Sequence, residues 1–415
     1  MRIPLNLSFK NPIHESLQEL SASFLIIFSF IPWVHFGLNS RDSQPWGLLF
    51  ALIFLITLYK KKFYKSELFI FALPIASLIS WLFFSNQVID FIALRAVISY
   101  TTFAICIIAF LAYLEKYPFP WNLVITINIL YLFIGVLQVY DINIAEGIVQ
   151  SRGLSKDGRG STSLTPEPTF FGIFLFFISF IYLAQCNFKP GRILGMLIFI
   201  NIISIILLAK SSMALLYIII AAPFFIITRI TPKIFFSIIL ISIIIIPILV
   251  AALEDSRIAL LWNLVSEEGL YFFIYSDESV NDRVANLIYP IHGFIISDFM
   301  PSGFHSFTDM HSYLNNFYNS FFYYGNGGTS IMSFIGAYIY ELGFFGFLFL
   351  LWLFLYMQNM TIQRLLDTTV LYIILLSAVP PSFPLVSFLI AIYLNKNKNK
   401  NKNKNKNKNT KLNEL

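Results

Sequence analysis

The sequence predicts an all-α polytopic membrane protein with about 11–12 transmembrane helices, one large outer loop and one medium one. Three observations carry this. Hydrophobic residues fill 57% of the 415 positions and charged residues only 12%, against roughly 25% charge in a soluble domain. The deficit recurs as apolar runs of about 20 residues, each long enough to cross a hydrocarbon core of ~30 Å. Lysine and arginine gather in the short connections of one side, while the long connections fall on the other.

In order, the predicted spans are Ser21–Leu38, Gln44–Tyr59, Glu67–Phe84, Ile89–Leu114, Pro120–Tyr140, Glu167–Cys186, Gly191–Ala209, Ser211–Ile230, Lys233–Leu253 and Ile331–Met357. The first lacks a following small-residue cleavage site and reads as an uncleaved anchor. A last apolar stretch, Thr368–Leu394, holds Pro380, Pro381 and Pro384. It is either one kinked helix or a hairpin of two short ones. Many spans are Ile- and Phe-rich all round, as helices facing lipid should be.

Residues 1–394 read as a single transmembrane domain that includes outer loops 141–166 and 254–330. Residues 395–415 read as a disordered Asn/Lys-rich tail. The net charge of +6 belongs to that tail. Setting aside its eight lysines and one acid leaves 20 basic and 21 acidic residues, so no nucleic-acid-binding surface is expected. A solvated tail is the simplest reading, and proximity to anionic headgroups the alternative.

Orientation follows from the connections. Twelve basic residues (Arg2, Lys10, Lys60, Lys61, Lys62, Lys65, Lys116, Lys189, Arg192, Arg229, Lys233, Arg364) fall on one side, which reads as cytoplasmic. Seven (Arg41, Arg152, Lys156, Arg159, Lys210, Arg257, Arg283) fall on the other, despite its longer loops. A cytoplasmic tail then requires the proline-broken stretch to be a hairpin. Loop 254–330 carries aromatic residues throughout, enough for a small core of its own.

Candidate chemistry lies on the outer side. Thr165, Pro166 and Glu167 fit the N-cap, first position and first turn of a helix. Glu167 either complements the helix dipole or serves chemistry beside the basic loop holding Arg152 and Arg159. Those arginines bind phosphate or are solvated. Two ionisable residues fall inside spans, which is costly. Arg95 is roughly 9 Å deep and Glu341 roughly 15 Å deep at 1.5 Å per residue. They pair with each other or line a cavity. Loop 254–330 adds Arg257, Arg283, His292, His305 and His311. No metal-site spacing, P-loop or nucleophile elbow occurs, and Cys106 and Cys186 form no disulfide framework. No metal or cofactor is expected.

Three stretches carry a family resemblance: LTPEPTFFGIFLFF (Leu164–Phe177) behind Arg152, SVNDRVANLIYPIHGFIISDFMPSGF (Ser279–Phe304), and AYIYELGFFGFLF (Ala337–Phe349). In order and sidedness the chain resembles bacterial O-antigen and capsule repeat-unit polymerases. O-antigen ligases share the Glu-Leu-Gly-x-x-Gly helix but tend to place a His-Asn-x-x-Leu just before it. Here His311 lies some thirty residues upstream of Glu341, which favours polymerase over ligase.

The resemblance implies a metal-independent glycosyltransferase of the bacterial inner membrane, facing the periplasm. Its partners would be polyprenyl-pyrophosphate-linked glycans and membrane lipids, with a chain-length regulator and a flippase as further candidates and no nucleic acid. The expected site places Glu167, Arg283 and His311 in catalysis, and Arg152, Arg159, Arg257, Arg95 and Glu341 in substrate binding. The rivals are an O-antigen ligase, a lipid-linked oligosaccharide flippase or transporter, and a non-enzymatic scaffold of an export complex.

Overall fold

An apolar run in hydrocarbon can satisfy its backbone only within itself, so the long Ile/Leu/Phe stretches form helices. The computed structural model describes residues 12–35, 44–58, 65–85, 91–149, 160–229, 257–323, 331–358, 361–377 and 379–413. Among them the chain is helical and without strands, an all-α polytopic membrane architecture. The expected span Lys233–Leu253 lies outside the described residues.

Helix α1 (Pro12–Phe30) leads to α2 (Trp46–Thr57), then α3 (Lys65–Ile70) and α4 (Ala72–Phe84). The last two form the expected span Glu67–Phe84, interrupted at Phe71. The cause is Pro74, which has no N–H to give the carbonyl of Ile70. Next come α5 (Phe91–Lys116), α6 (Trp121–Tyr140), a 3₁₀ turn (Ile142–Ala145), α7 (Pro168–Gln185), α8 (Arg192–Leu207) and α9 (Ser212–Arg229). The stretches Glu67–Phe84, Ala93–Lys116, Trp121–Tyr140 and Pro168–Gln185 are long and apolar enough to cross a membrane, and several shorter apolar helices accompany them. We call the end of the bundle bearing 141–149, 160–167 and 257–323 the loop face, and the opposite end the tail face.

On the loop face, α10 (Arg257–Ser276, bent at Gly269), α11 (Glu278–Ile296) and α12 (Phe307–Phe317) build a cap. Its own hydrophobic cluster joins Ala285, Tyr289, Phe307, Leu314 and Phe322 to Ala337 and Tyr340. The chain re-enters the bundle through α13 (Phe334–Glu341) and α14 (Gly343–Gln358). The single helix expected over Ile331–Met357 is therefore broken at Leu342. The break has a backbone cause: Gly343 adopts φ +57°, and the backbone of Met300 and Pro301 presses against it.

The proline-broken stretch is a hairpin. Helix α15 (Ile362–Leu375) and α16 (Pro384–Asn413) are joined by a turn that bonds to itself through Phe383 N–H to Pro380 O. Every residue of α16 from Leu385 to Leu394 is at least 98% buried. Together with the middle of α5 and nearly all of α7, α16 forms the centre of the bundle. The expectation that all-round apolar helices face lipid fails for these three. A composition that suits lipid suits a protein interior equally, because both are apolar solvents.

The tract expected to be disordered from Asn395 instead continues α16 to Asn413. The buried helix before it removes the cost of nucleation, and its first four residues find partners on the tail face. Asn395 donates to Leu114 O (3.3 Å) and Asn397 to Tyr356 and Met357 O (2.9 and 3.1 Å). Lys396 Nζ donates to Ala184 O, Gln185 O and Asn187 Oδ1 (2.5, 2.9 and 2.8 Å). Lys398 pairs with Glu67 and Glu115. The carbonyls belong to the last turns of α5, α7 and α14, where each helix leaves acceptors unpaired and concentrates negative potential.

Candidate functional site on the loop face

The run 160–167 is not a surface loop. Ser161 to Thr165 are buried, held by Gln138 of α6, whose side chain bonds to Thr162 Oγ1 and to both the N–H and C=O of Ser163. Ser163 Oγ donates to Tyr131 O (2.6 Å), and Ser161 N–H donates to Leu208 O (2.8 Å). Gly160 lies so close to the α8–α9 junction that an added Cβ would come within 2.2 Å of Leu208 O.

This insertion sets where α7 begins. Glu167 is the N-cap, in extended conformation, and Pro168 takes the first helical position. The expected assignment, with Thr165 as N-cap, is thus two residues early. Thr165 Oγ1 turns back to Thr162 O and Glu167 O instead (2.7 and 2.8 Å). Of the two prolines, Pro168 supplies the fixed φ that starts the helix. Glu167 makes no capping bond with its own side chain, leaving a half-buried carboxylate at the positive end of α7.

Next to this helix start is a cavity of about 200 Å³. Its polar lining is Arg95, Ser99 and Thr102 of α5, Gln44, and Ser382; Trp33, Phe383 and four prolines are among its apolar walls. Trp33 packs against both Phe170 of α7 and Phe383 of the turn, with centroids 5.9 and 5.6 Å apart. An aromatic partition therefore separates the Arg95 cavity from the first turn of α7. At the other end of the same turn, Ser377 Oγ and Tyr217 OH are 2.6 Å apart. Ser382 and Phe383 of that turn line the cavity together with Arg95.

Arg95 and Glu341 form no ion pair. Glu341 Oε2 accepts a hydrogen bond from Tyr100 OH (2.5 Å), and its backbone carbonyl accepts one from Ser80 Oγ (2.5 Å). Arg95 and Tyr100 are five residues apart, so they leave α5 about 140° from each other at 100° per residue. One reaches the cavity and the other reaches Glu341, which is absent from the cavity lining.

Depth changes as well. Tyr100 lies 16 residues from Lys116, about 24 Å along α5, and Gly343 lies a similar distance from the tail-face end of α14. In a ~30 Å core, Glu341 is then only about 6–9 Å below the loop-side edge. The break at Leu342 explains the difference from the straight-helix value. Arg95 stands close to that edge.

His311 belongs to the cap core. It is 4% exposed, its Nε2 has no hydrogen-bond partner, and its ring stands edge-on to Tyr289 at 4.9 Å. Burial lowers its pKa from the ordinary 6.5. A histidine so placed loses stability on protonation: its contribution is present above the unfolded value near 6.5 and is lost as pH falls below it. We expect the cap to loosen between pH 7 and pH 5. Hydrogen exchange over 278–317 reads this, and His311→Phe should flatten the pH dependence. An unchanged pH profile in that variant would refute the assignment.

Arg283 is half-buried in the second turn of α11, beside Asp282. Desolvation raises the Asp282 pKa, while Arg283 and a hydrogen bond from Asn286 oppose that rise. Arg257 opens α10, with only its backbone described. Arg152 and Arg159 lie outside the described residues. The structure therefore brings Arg95 to the cavity and places Glu167 across its aromatic wall, with Arg283 on the cap. It does not bring Glu341 or His311 there.

No protein-family model matches the chain, and no curated protein matches it. Among the described residues, no cluster of three or more His, Cys, Asp or Glu comes together to hold a metal ion.

The residues that sequence reasoning missed are Trp33, Gln44, Tyr217, Ser377, Ser382 and Phe383. A signal existed in the three prolines. Irregular backbone at membrane depth is tolerated only where it is buried in protein or lines a cavity.

Proposed function

We propose that this protein polymerises polyprenyl-pyrophosphate-linked oligosaccharide repeat units at the loop face, which is then the periplasmic side of a bacterial inner membrane. The observation that carries the reading is the cavity at the membrane edge. It joins apolar and aromatic walls to one guanidinium and several hydroxyls, a lining suited to the neck of a lipid diphosphate. A carboxylate at the start of α7 stands across the aromatic partition.

In this reading the acceptor hydroxyl oxygen bonds to the anomeric carbon as the bond from that carbon to the pyrophosphate oxygen breaks. The proton passes to Glu167. Arg95 and Arg283 stabilise the charge of the departing diphosphate. The three family-like stretches support the same reading: the first begins α7, the second holds Arg283, and the third forms the break beside Glu341.

The test is complementation of a deletion strain, read as the length distribution of its surface glycan. Arg95→Ala, Glu167→Gln and Arg283→Ala should each lower chains longer than one repeat by about 100-fold, with normal protein levels in the membrane. Normal ladders from folded variants would refute the site. Longer polyprenyl-linked glycan from purified protein in liposomes supports a polymerase. Glycan joined to lipid A core would indicate a ligase, and translocation without elongation a flippase.

A further inference from the structure

We propose that the edge of the cap formed by the end of α11 and residues 299–300 is a membrane-inserted surface whose partner is lipid acyl chains. Five large apolar side chains are exposed there: Ile291 (37%), Ile295 (55%), Ile296 (42%), Phe299 (51%) and Met300 (59%). Contiguous exposed apolar surface of this kind marks an interaction site. Ile291 and Ile295 share a helix face at i, i+4, and the exposed run continues past the helix end.

Two contacts fix how deep this edge sits. Phe344 N–H donates to Phe299 O (2.8 Å), and Gly343 lies against the backbone of Met300 and Pro301. Both glycine and phenylalanine begin α14, whose 16 residues rise only about 24 Å from the tail face. Phe299 is therefore some 6 Å inside a ~30 Å hydrocarbon layer. Independently, Gly303 packs on the last carbonyl of α4, where an added Cβ would come within 2.4 Å of Phe84 O. The stretch Glu67–Phe84 that ends there is itself long and apolar enough to span.

The patch is also continuous with a lipid-facing surface. Phe344, Phe345, Phe347 and Leu348 of α14 are exposed, and Phe294 packs on Phe347 with centroids 6.4 Å apart. Phe299 and Met300 thus extend the apolar band of the bundle outward onto the cap. The polar start of α11, with Glu278, Asn281, Asp282 and Arg283, lies at the other end of that helix. The cap is held at the membrane surface by one wet end and one inserted end. This inference does not depend on the proposed activity.

The test is spin-label accessibility in phosphatidylethanolamine/phosphatidylglycerol liposomes. The full chain would carry Cys186→Ser and one of Ile295→Cys, Phe299→Cys, Met300→Cys or, as a control elsewhere on the cap, Tyr271→Cys. The native Cys106 is buried and stays. Oxygen partitions into hydrocarbon and a nickel chelate into water, so the collision ratio at Phe299 and Met300 should exceed that at Tyr271 by about tenfold. A ratio equal to that at Tyr271 overturns the proposal. So does protection from both reagents with spin–spin broadening, which would place a second copy on the patch. Three label positions on one patch keep the result readable if one variant fails to fold.

Discussion

Gly343→Val should leave little folded protein in the membrane. At φ +57° any L side chain is strained, and the added Cβ would come within 2.3 Å of Pro301 N and 2.5 Å of Met300 C. Both are backbone atoms, so the 299–302 segment must move. That movement would break the bonds from Phe344 N–H to Phe299 O and from Ser302 N–H to Tyr340 O, which tie the cap to the bundle. Strain and lost packing together should cost about 4 kcal/mol or more. Fluorescence-detected size exclusion and a melting curve in detergent check this. Gly195→Ala, in α8 with nothing within 4 Å of the new methyl, is the matched control and should be neutral or slightly stabilising. A Gly343→Val protein that melts with the wild type would mean the helix break is not held as described.

Shortening the chain separates two parts of the Asn/Lys tract. A chain ending at Lys400 keeps Asn395–Lys398 and should melt close to the full-length protein. A chain ending at Leu394 loses the bonds to the last turns of α5, α7 and α14 and both ion pairs of Lys398. Hydrogen bonds involving a charged group contribute about 1.5–3 kcal/mol each where buried, and basic groups at helix C-termini somewhat less. The expected loss is about 3–5 kcal/mol. Lys396→Met alone should account for much of it, since that ammonium has three acceptors. Equal melting of the two shortened chains would return the whole tract to the role of a solvated tail.

The same residues show where sequence reading stopped. An Asn-Lys alternation has no apolar face, so its composition argues for disorder. Only the neighbouring helix ends reveal acceptors for its first two repeats. The apolar core of α16 is a parallel case. Its composition marks it as membrane-embedded, but it is central because α5 and α7 surround it, and no property of its own residues says so. Apolar composition runs through Glu341-Leu342-Gly343-Phe344-Phe345-Gly346 as part of one straight helix. In the fold Gly343 makes the break, and Gly346 lets α14 approach Tyr338 O. A periodicity argument assumes the helix continues, and so cannot find the point where a distant segment interrupts it.

Among the charged candidates, the sequence places Glu167 at a helix start and both Arg95 and Glu341 inside apolar spans, because dipole complementarity and hydropathy are local properties. It left open whether Arg95 pairs with Glu341. The angular separation of Arg95 and Tyr100 on α5 answers that once the helix is placed among its neighbours. His311 was a candidate base by residue type, and its packing against Tyr289 put it in the core of the cap.

By itself, then, the sequence determined that this is a many-helix membrane protein, with its long loops gathered on one face and its basic turns on the other. Hydrophobicity and chain length act residue by residue, and the bilayer imposes them without reference to tertiary contacts. The tertiary structure alone decided which helices are central, where two of them break, what the first lysines of the tail hold, and which charge lines the cavity. Those outcomes rest on shape complementarity and hydrogen bonding between segments far apart in the chain, and neither is encoded in any single window of it.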